Sequence, residues 1–143
     1  MINIIIINGP NLNLLGKREK EIYGTVSFED HFKLLEAKYP KISLTYFQSN
    51  HEGVLIDKLQ EVGFVYEGII LNAAGYTHTS IALMDTIKAI STPVVEVHIS
   101  DIEAREDFRK FSYVSLAAAH LIKGKGLVGY DDGVEWLLDK ISE

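Results

Sequence analysis

Met1-Ile2-Asn3-Ile4-Ile5-Ile6-Ile7, stopped by Asn8-Gly9-Pro10, carries the strongest architectural signal in the chain. A continuous β-branched run, rather than one alternating with polar residues, reads as a strand covered on both faces. That is the signature of a parallel sheet with helices above and below it. Further short apolar runs lie at residues 42–47, 68–71 and 93–97, with a weaker one near 118–123, so five strands are expected. Between them Phe28, Phe32, Leu35 and Tyr39 recur at helical spacing, as do Val54, Leu55, Leu59 and Val62. Ser27, three residues before Asp30, is placed to cap the first helix. A third helix is predicted over about 79–90, and a fourth over 134–141 with Trp136 and Leu137 on its apolar side. Alternating strands and helices with right-handed crossovers give an α/β fold. The expectation is a flavodoxin-like five-stranded parallel sheet with helices on both faces, which binds ligands beyond the carboxyl ends of its strands.

With 143 residues, 47% of them apolar, the chain suits one sizeable core, so residues 1–143 are read as a single domain. The longest interval without periodicity is 9–26, rich in Gly, Asn and charge; it reads either as a lid or binding loop or as a solvated excursion. A formal net charge of −6 without a Lys/Arg cluster argues against nucleic acid or an anionic membrane as partner. Arginine occurs only at Arg18, Arg105 and Arg109, so any arginine that grips a carboxylate is one of these. The absence of cysteine removes disulfides, thiolate catalysis and cysteine-based zinc sites, and fits a reducing compartment. The first residues lack both a basic region and the length of a membrane span, so a cytoplasmic location is expected.

The chemistry-bearing residues gather after the strands. Asn8-Gly9-Pro10-Asn11-Leu12-Asn13 carries neither a dinucleotide glycine fingerprint nor a phosphate loop, and no acidic pair of a receiver domain ends the first strand. By itself it reads as a turn. Asn72-Ala73-Ala74-Gly75-Tyr76-Thr77-His78-Thr79-Ser80 leads from the third strand into a helix through capping residues. In Val94-Val95-Glu96-Val97-His98 the two-residue period puts Glu96 and His98 on one face of a buried strand. A buried glutamate needs a partner. If His98 is that neighbour, the carboxylate favours the charged imidazole, which makes His98 a candidate acid or substrate hydrogen-bond donor, against a purely structural pair as the alternative. A metal held by His78, Glu96 and His98 is a weaker reading.

Taken together these segments resemble the type II dehydroquinase family over essentially the whole chain. The resemblance rests on Ile7-Asn8-Gly9-Pro10-Asn11-Leu12-Asn13-Leu14-Leu15-Gly16 with Arg18-Glu19 and Ile22-Tyr23-Gly24, and on Asn72 with Gly75-Tyr76-Thr77-His78-Thr79-Ser80. It continues in Glu96-Val97-His98-Ile99-Ser100, in Ala104-Arg105-Glu106 with Phe108-Arg109, and in Ser112-Tyr113. It implies a 3-dehydroquinate dehydratase of the shikimate pathway, which serves aromatic amino acid biosynthesis. Such an enzyme works by anti elimination through an enolate, with no metal or other cofactor. It implies Tyr23 as general base, Arg18 as its activator, His98 as proton donor, Asn11 as holder of a water at the enolate, and Glu96 as the group keeping His98 charged. Asn72, His78, Ile99, Ser100 and Arg109 would bind substrate, Asp85 would serve a site across a subunit boundary, and residues at about 16–25 would form an active-site lid. The implied assembly is a homododecamer, a tetramer of trimers.

The chain departs from the family pattern in Ala73-Ala74-Gly75, where Pro-Gly-Ala is usual. It departs again at Asp101 and Glu103, where Asn and His are common, and at Lys110-Phe111, where His-His is frequent. These bear on the backbone after Asn72 and on the charge near Arg109. The residue types suit the reaction. A β-hydroxy ketone that loses water needs a base, a stabilised enolate and an acid. Ionising a free tyrosine at pH 7 costs about 4 kcal/mol, which a desolvated arginine can largely offset. The alternative from another class is a non-catalytic flavodoxin-like mononucleotide-binding module, which would purify yellow or be stabilised by FMN rather than by a quinate-like acid.

Overall fold

The structure, a computed structural model, describes residues 1–17, 21 and 25–143. The isoleucine run forms β1 (Ile2–Asn8), which lies inside a five-stranded sheet ordered β2-β1-β3-β4-β5. Its companions are β2 (Ile42–Gln48), β3 (Gly68–Asn72), β4 (Val94–His98) and β5 (His120–Lys123), and every pairing is parallel.

Both faces of β1 are covered, as a continuous apolar run demands. Ile4 and Ile6 join Ile70, Val95 and Val97 beneath α1 (Phe28–Lys38) and α4 (Val128–Ile141). Ile5 and Ile7 join Ile69, Leu71 and Val94 beneath α2 (Glu52–Val62) and α3 (Ile81–Ala89). Each fully buried isoleucine contributes roughly 1.5–3 kcal/mol relative to exposure, so this one strand anchors two cores at once.

Capping starts two of the helices. Ser27 Oγ accepts from Asp30 N at 3.2 Å ahead of α1, and Ser80 Oγ accepts from Leu83 N at 2.9 Å ahead of α3. One expectation is corrected: the last helix begins at Val128, not near residue 134. Its first turns carry Gly129 and Gly133, which lower helix propensity and hide the periodicity. Packing overrides propensity here. A Cβ at Gly133 would stand 3.2 Å from Ile70 Cδ1, and one at Gly129 would stand 3.3 Å from Val97 Cγ1, so the glycines let the helix lie close on the sheet.

Register then sets the stage for chemistry. Asn8 pairs with Asn72, and Leu71 with Glu96, so β1, β3 and β4 end close together at one edge of the sheet. The loops that leave this edge carry most of the polar residues singled out in the sequence. Among the described residues, no helix is long and apolar enough to cross a membrane.

Candidate active site

A cleft of about 140 Å³ opens at the carboxyl edge of the sheet, and Asn11, Asn72, His78, His98, Arg105 and Arg109 line it together with Ile99 and Ser100. Behind it, β4 carries a buried polar pair. Glu96 is wholly buried and His98 nearly so, and His98 Nε2 lies 2.5 Å from Glu96 Oε2. The two-residue period therefore delivers what it promised: two neighbours on one strand face, bonded to each other. Burial alone would push the Glu96 carboxyl up. The hydrogen bond and charge of His98, joined by bonds from Ser112 and Ser115, outweigh it and hold the group below the ordinary carboxylate range. A carboxylate can only accept, so His98 Nε2 carries a proton, and Nδ1 is the ring nitrogen left for the cleft.

His78 is arranged in the opposite sense. Its Nδ1 donates to the Phe111 carbonyl at 2.8 Å, which leaves Nε2 as the other ring nitrogen. Burial lowers its pKa; the Phe111 carbonyl pulls partly the other way, and His98, Arg109 and Arg105 push it lower still. His78 is thus a neutral acceptor near neutral pH, facing the same cleft as the proton-bearing His98.

Asn72 is held from both ends. Its Oδ1 accepts from Ala74 N at 3.1 Å, while Nδ2 donates to Tyr130 Oη at 2.9 Å. Tyr130 in turn donates to Asn8 Oδ1 at 2.8 Å, so α4 reaches under the sheet edge to fix the ends of β1 and β3. Burial pushes the Tyr130 phenol up, and it stays a neutral donor. The turn after Asn72 is where the sequence departs from the family pattern, and the departure has a cost. Ala74 takes φ +52°, a left-handed conformation that glycine adopts freely, whereas a Cβ at Gly75 would meet nothing within 4 Å.

Asn11 also lies in the left-handed region, at φ +70°, which asparagine tolerates, and Asn50 Oδ1 accepts from its backbone N–H at 3.0 Å. Ile99 and Ser100 are clamped by a glycine pair, since Gly126 N donates to Ile99 O at 3.0 Å and Gly124 N to Ser100 O at 3.2 Å. Arg109 holds its Nε against Glu106 at 2.5 Å and lies over Phe108, so its outer guanidinium edge remains for the cleft. The extra acids are accounted for. Asp101 caps the turn at Ile102–Ala104 by accepting from Glu103 N at 3.0 Å, and Lys123 pairs with Glu103 at 2.9 Å.

Of the residues expected from sequence, the cleft therefore gathers Asn11, Asn72, His78, His98, Ile99, Ser100 and Arg109, with Glu96 behind His98. Asp85 is exposed on α3 and does not line the cleft of this chain. Arg18 and Tyr23 lie outside the described residues. No cluster of three or more His, Asp or Glu side chains suited to a metal occurs among the described residues. Arg105 was not singled out as a site residue, yet it lines the cleft; the scarcity of arginine was the available signal. Thr77 and Ser112 fell within the matched motifs without a role of their own, whereas Tyr130 and Ser115 carried no signal, because their bonds join segments far apart in sequence.

The fold and cleft define a flavodoxin-like α/β protein built for proton chemistry on a small polar ligand at the strand ends. Comparisons narrow this. The family described as dehydroquinase class II matches residues 2–138. The 3-dehydroquinate dehydratase of Fusobacterium nucleatum is 51% identical, covering 96% of this chain and 97% of that one. That of an Exiguobacterium species is 50% identical over 96% and 95%. The crystal structure of type II dehydroquinase from Butyrivibrio crossotus superposes with a TM-score of 0.92 at 41% identity, covering 96% of this chain and 97% of that chain. The chain belongs to the class II dehydroquinase family.

Proposed function

We infer that the chain is a 3-dehydroquinate dehydratase, a hydro-lyase of the shikimate pathway that converts 3-dehydroquinate to 3-dehydroshikimate. The observation that carries the reading is the buried Glu96–His98 pair at the cleft, supported by the family match over residues 2–138. The ionised carboxylate behind His98 favours a protonated ring, and its Nδ1 is the donor for the departing hydroxyl. His78, neutral with Nε2 unoccupied by the Phe111 bond, accepts from a substrate hydroxyl. Asn72, Ile99 and Ser100 contact the remaining oxygens, and Arg109 takes the carboxylate with its fork. Asn11 holds a water where the enolate oxygen develops, which lowers the barrier by stabilising charge formed only in the transition state.

The base is Tyr23 with Arg18 as its activator, on an active-site lid at about 16–25, within the single catalytic domain 1–143. These roles rest on the matched motif in the sequence. The enzyme works in the cytoplasm as a dodecamer of four trimers, with Asp85 at the boundary to a neighbouring subunit's site. The direct test adds 3-dehydroquinate to pure protein and follows the ultraviolet absorbance of the conjugated enone. Appearance of the enone is expected, reduced at least ~10²-fold by Tyr23→Phe. No absorbance from the wild type would overturn the activity, and normal turnover of Tyr23→Phe would move the base elsewhere.

A further inference from the structure

Glu96 has no exposure to solvent, and an ion in that position is stable only when its lone pairs are satisfied. His98 supplies one bond. Ser112 Oγ donates to Oε2 at 2.6 Å, Ser115 Oγ donates to Oε1 at 2.5 Å, and Thr77 Oγ1 lies 3.1 Å from Oε2. Ser112 and Thr77 are themselves 2.5 Å apart, and Ser115 N donates to Ser112 Oγ at 3.2 Å. The two serines therefore belong to one short segment, 111–115, whose other polar contacts reach the second histidine. Phe111 O accepts from His78 Nδ1 at 2.8 Å, and Tyr113 N donates to Thr77 O at 2.7 Å.

We propose that segment 111–115 is the positioning element of the catalytic acid, with Ser112 and Ser115 acting through Glu96 to hold the proton-bearing ring of His98 at the cleft, while Phe111 fixes the ring of His78 from the same strap. The proposal rests on His98 being the acid of the dehydration. Its physical content is that hydroxyl bonds to the ionised form stabilise that form, so losing them shifts Glu96 toward neutrality and deprives His98 of its counter-charge. The ionisable groups around the pair are His98 on β4 itself, His78 on the turn after β3, Arg105 and Arg109 from the loop ahead of the strap, and Lys123 on β5, which is engaged by Glu103. His98 is the ionisable group bonded to the carboxylate. Ser112 and Ser115 do not line the cleft, which makes them positioning residues and not catalytic ones.

The test compares wild type, Ser112→Ala, Ser115→Ala, the double variant and Glu96→Gln in two measurements. In the first, kcat and KM for 3-dehydroquinate are followed against pH. Each serine variant is expected to lose about 3- to 10-fold in kcat with KM held within about threefold, and the acidic limb should move to higher pH. Adding the double change to Glu96→Gln should cost little more, because the serines act only through that carboxylate. Ser115→Thr, which restores a hydroxyl, should recover most of the loss. In the second, the Glu96 carboxyl is titrated by carbon NMR, and its midpoint should rise by about half to one pH unit when either hydroxyl is removed. Ser115 is only half-buried, so its alanine variant keeps the question open to measurement if Ser112→Ala does not fold. An unmoved carboxyl midpoint, or an acidic limb unchanged in the folded serine variants, overturns the proposal. An inactive wild type overturns the functional reading on which the proposal depends, and the carboxyl titration then decides the role of the serines by itself.

Discussion

β3 and β4 lie side by side, each five residues long and buried throughout, yet they were built for different ends. Gly68-Ile69-Ile70-Leu71 is apolar until Asn72 closes it, so nearly all of β3 serves the two cores. β4 keeps apolar side chains at Val94, Val95 and Val97 and spends its other two positions on Glu96 and His98. Equal burial thus has unequal meaning. On β3 it removes hydrocarbon from water, which stabilises. On β4 it removes a carboxylate and its imidazole partner from water, which stabilises nothing unless hydrogen bonds satisfy both. A buried carboxylate–imidazole pair inside a sheet is a poor way to strengthen a fold and a good way to hold a proton donor still.

The difference can be broken at either strand. His98→Ala should lower the turnover of the folded fraction by roughly 10² to 10⁴, equivalent to about 3–5 kcal/mol of transition-state stabilisation. Wild-type turnover would reduce the β4 pair to a structural feature. Ile70→Ala on β3 should do the reverse. It should cost about 2–5 kcal/mol of stability in urea unfolding, with kcat of the folded fraction near normal. A large kcat loss with unchanged stability would mean that the two strands are not divided in this way.

Acid should separate them further. The Glu96 carboxyl is held below its ordinary value of 4.5, so the stability it contributes is present above that pH and is lost as the pH falls through the lower native value. His78, also lowered, resists protonation. Its contribution is present above its ordinary value of 6.5 and declines as the pH drops below it. Urea midpoints measured from pH 7 downward should therefore fall in two stages, and Glu96→Gln should remove the lower one. An identical acid profile in that variant would show that the carboxylate's charge is not linked to folding. The smallest effect is expected just past β3, where Ala74 sits at φ +52°. Ala74→Gly should relieve the left-handed strain and raise stability by about 1 kcal/mol, read as a higher urea midpoint. A lower midpoint would mean that the methyl group packs to advantage.

Much of this was legible in the sequence because the signals were local. The unbroken isoleucine run announced a parallel sheet, and the two-residue spacing of Glu96 and His98 placed both on one face. Ser27 and Ser80 announced helix starts. What stayed hidden depends on contacts across the chain. Gly129 and Gly133 weaken a helix by propensity and gain it back only by packing against Ile70 and Val97, which no local pattern reveals. The Tyr130 hydroxyl ties Asn8 to Asn72 from 122 and 58 residues away, a link no local spacing carries.

The placement of β1 has one more consequence, for the chain before it is folded. The strand is first in sequence but interior in the sheet, and its neighbours are residues 42–48 and 68–72, so both edges stay bare until those segments have been made. During that interval Ile2-Asn3-Ile4-Ile5-Ile6-Ile7 is an uncharged, β-branched segment without proline, the composition that stacks between molecules into cross-β zippers. The same six residues that organise the native protein are thus an aggregation hazard at the ribosome and in refolding.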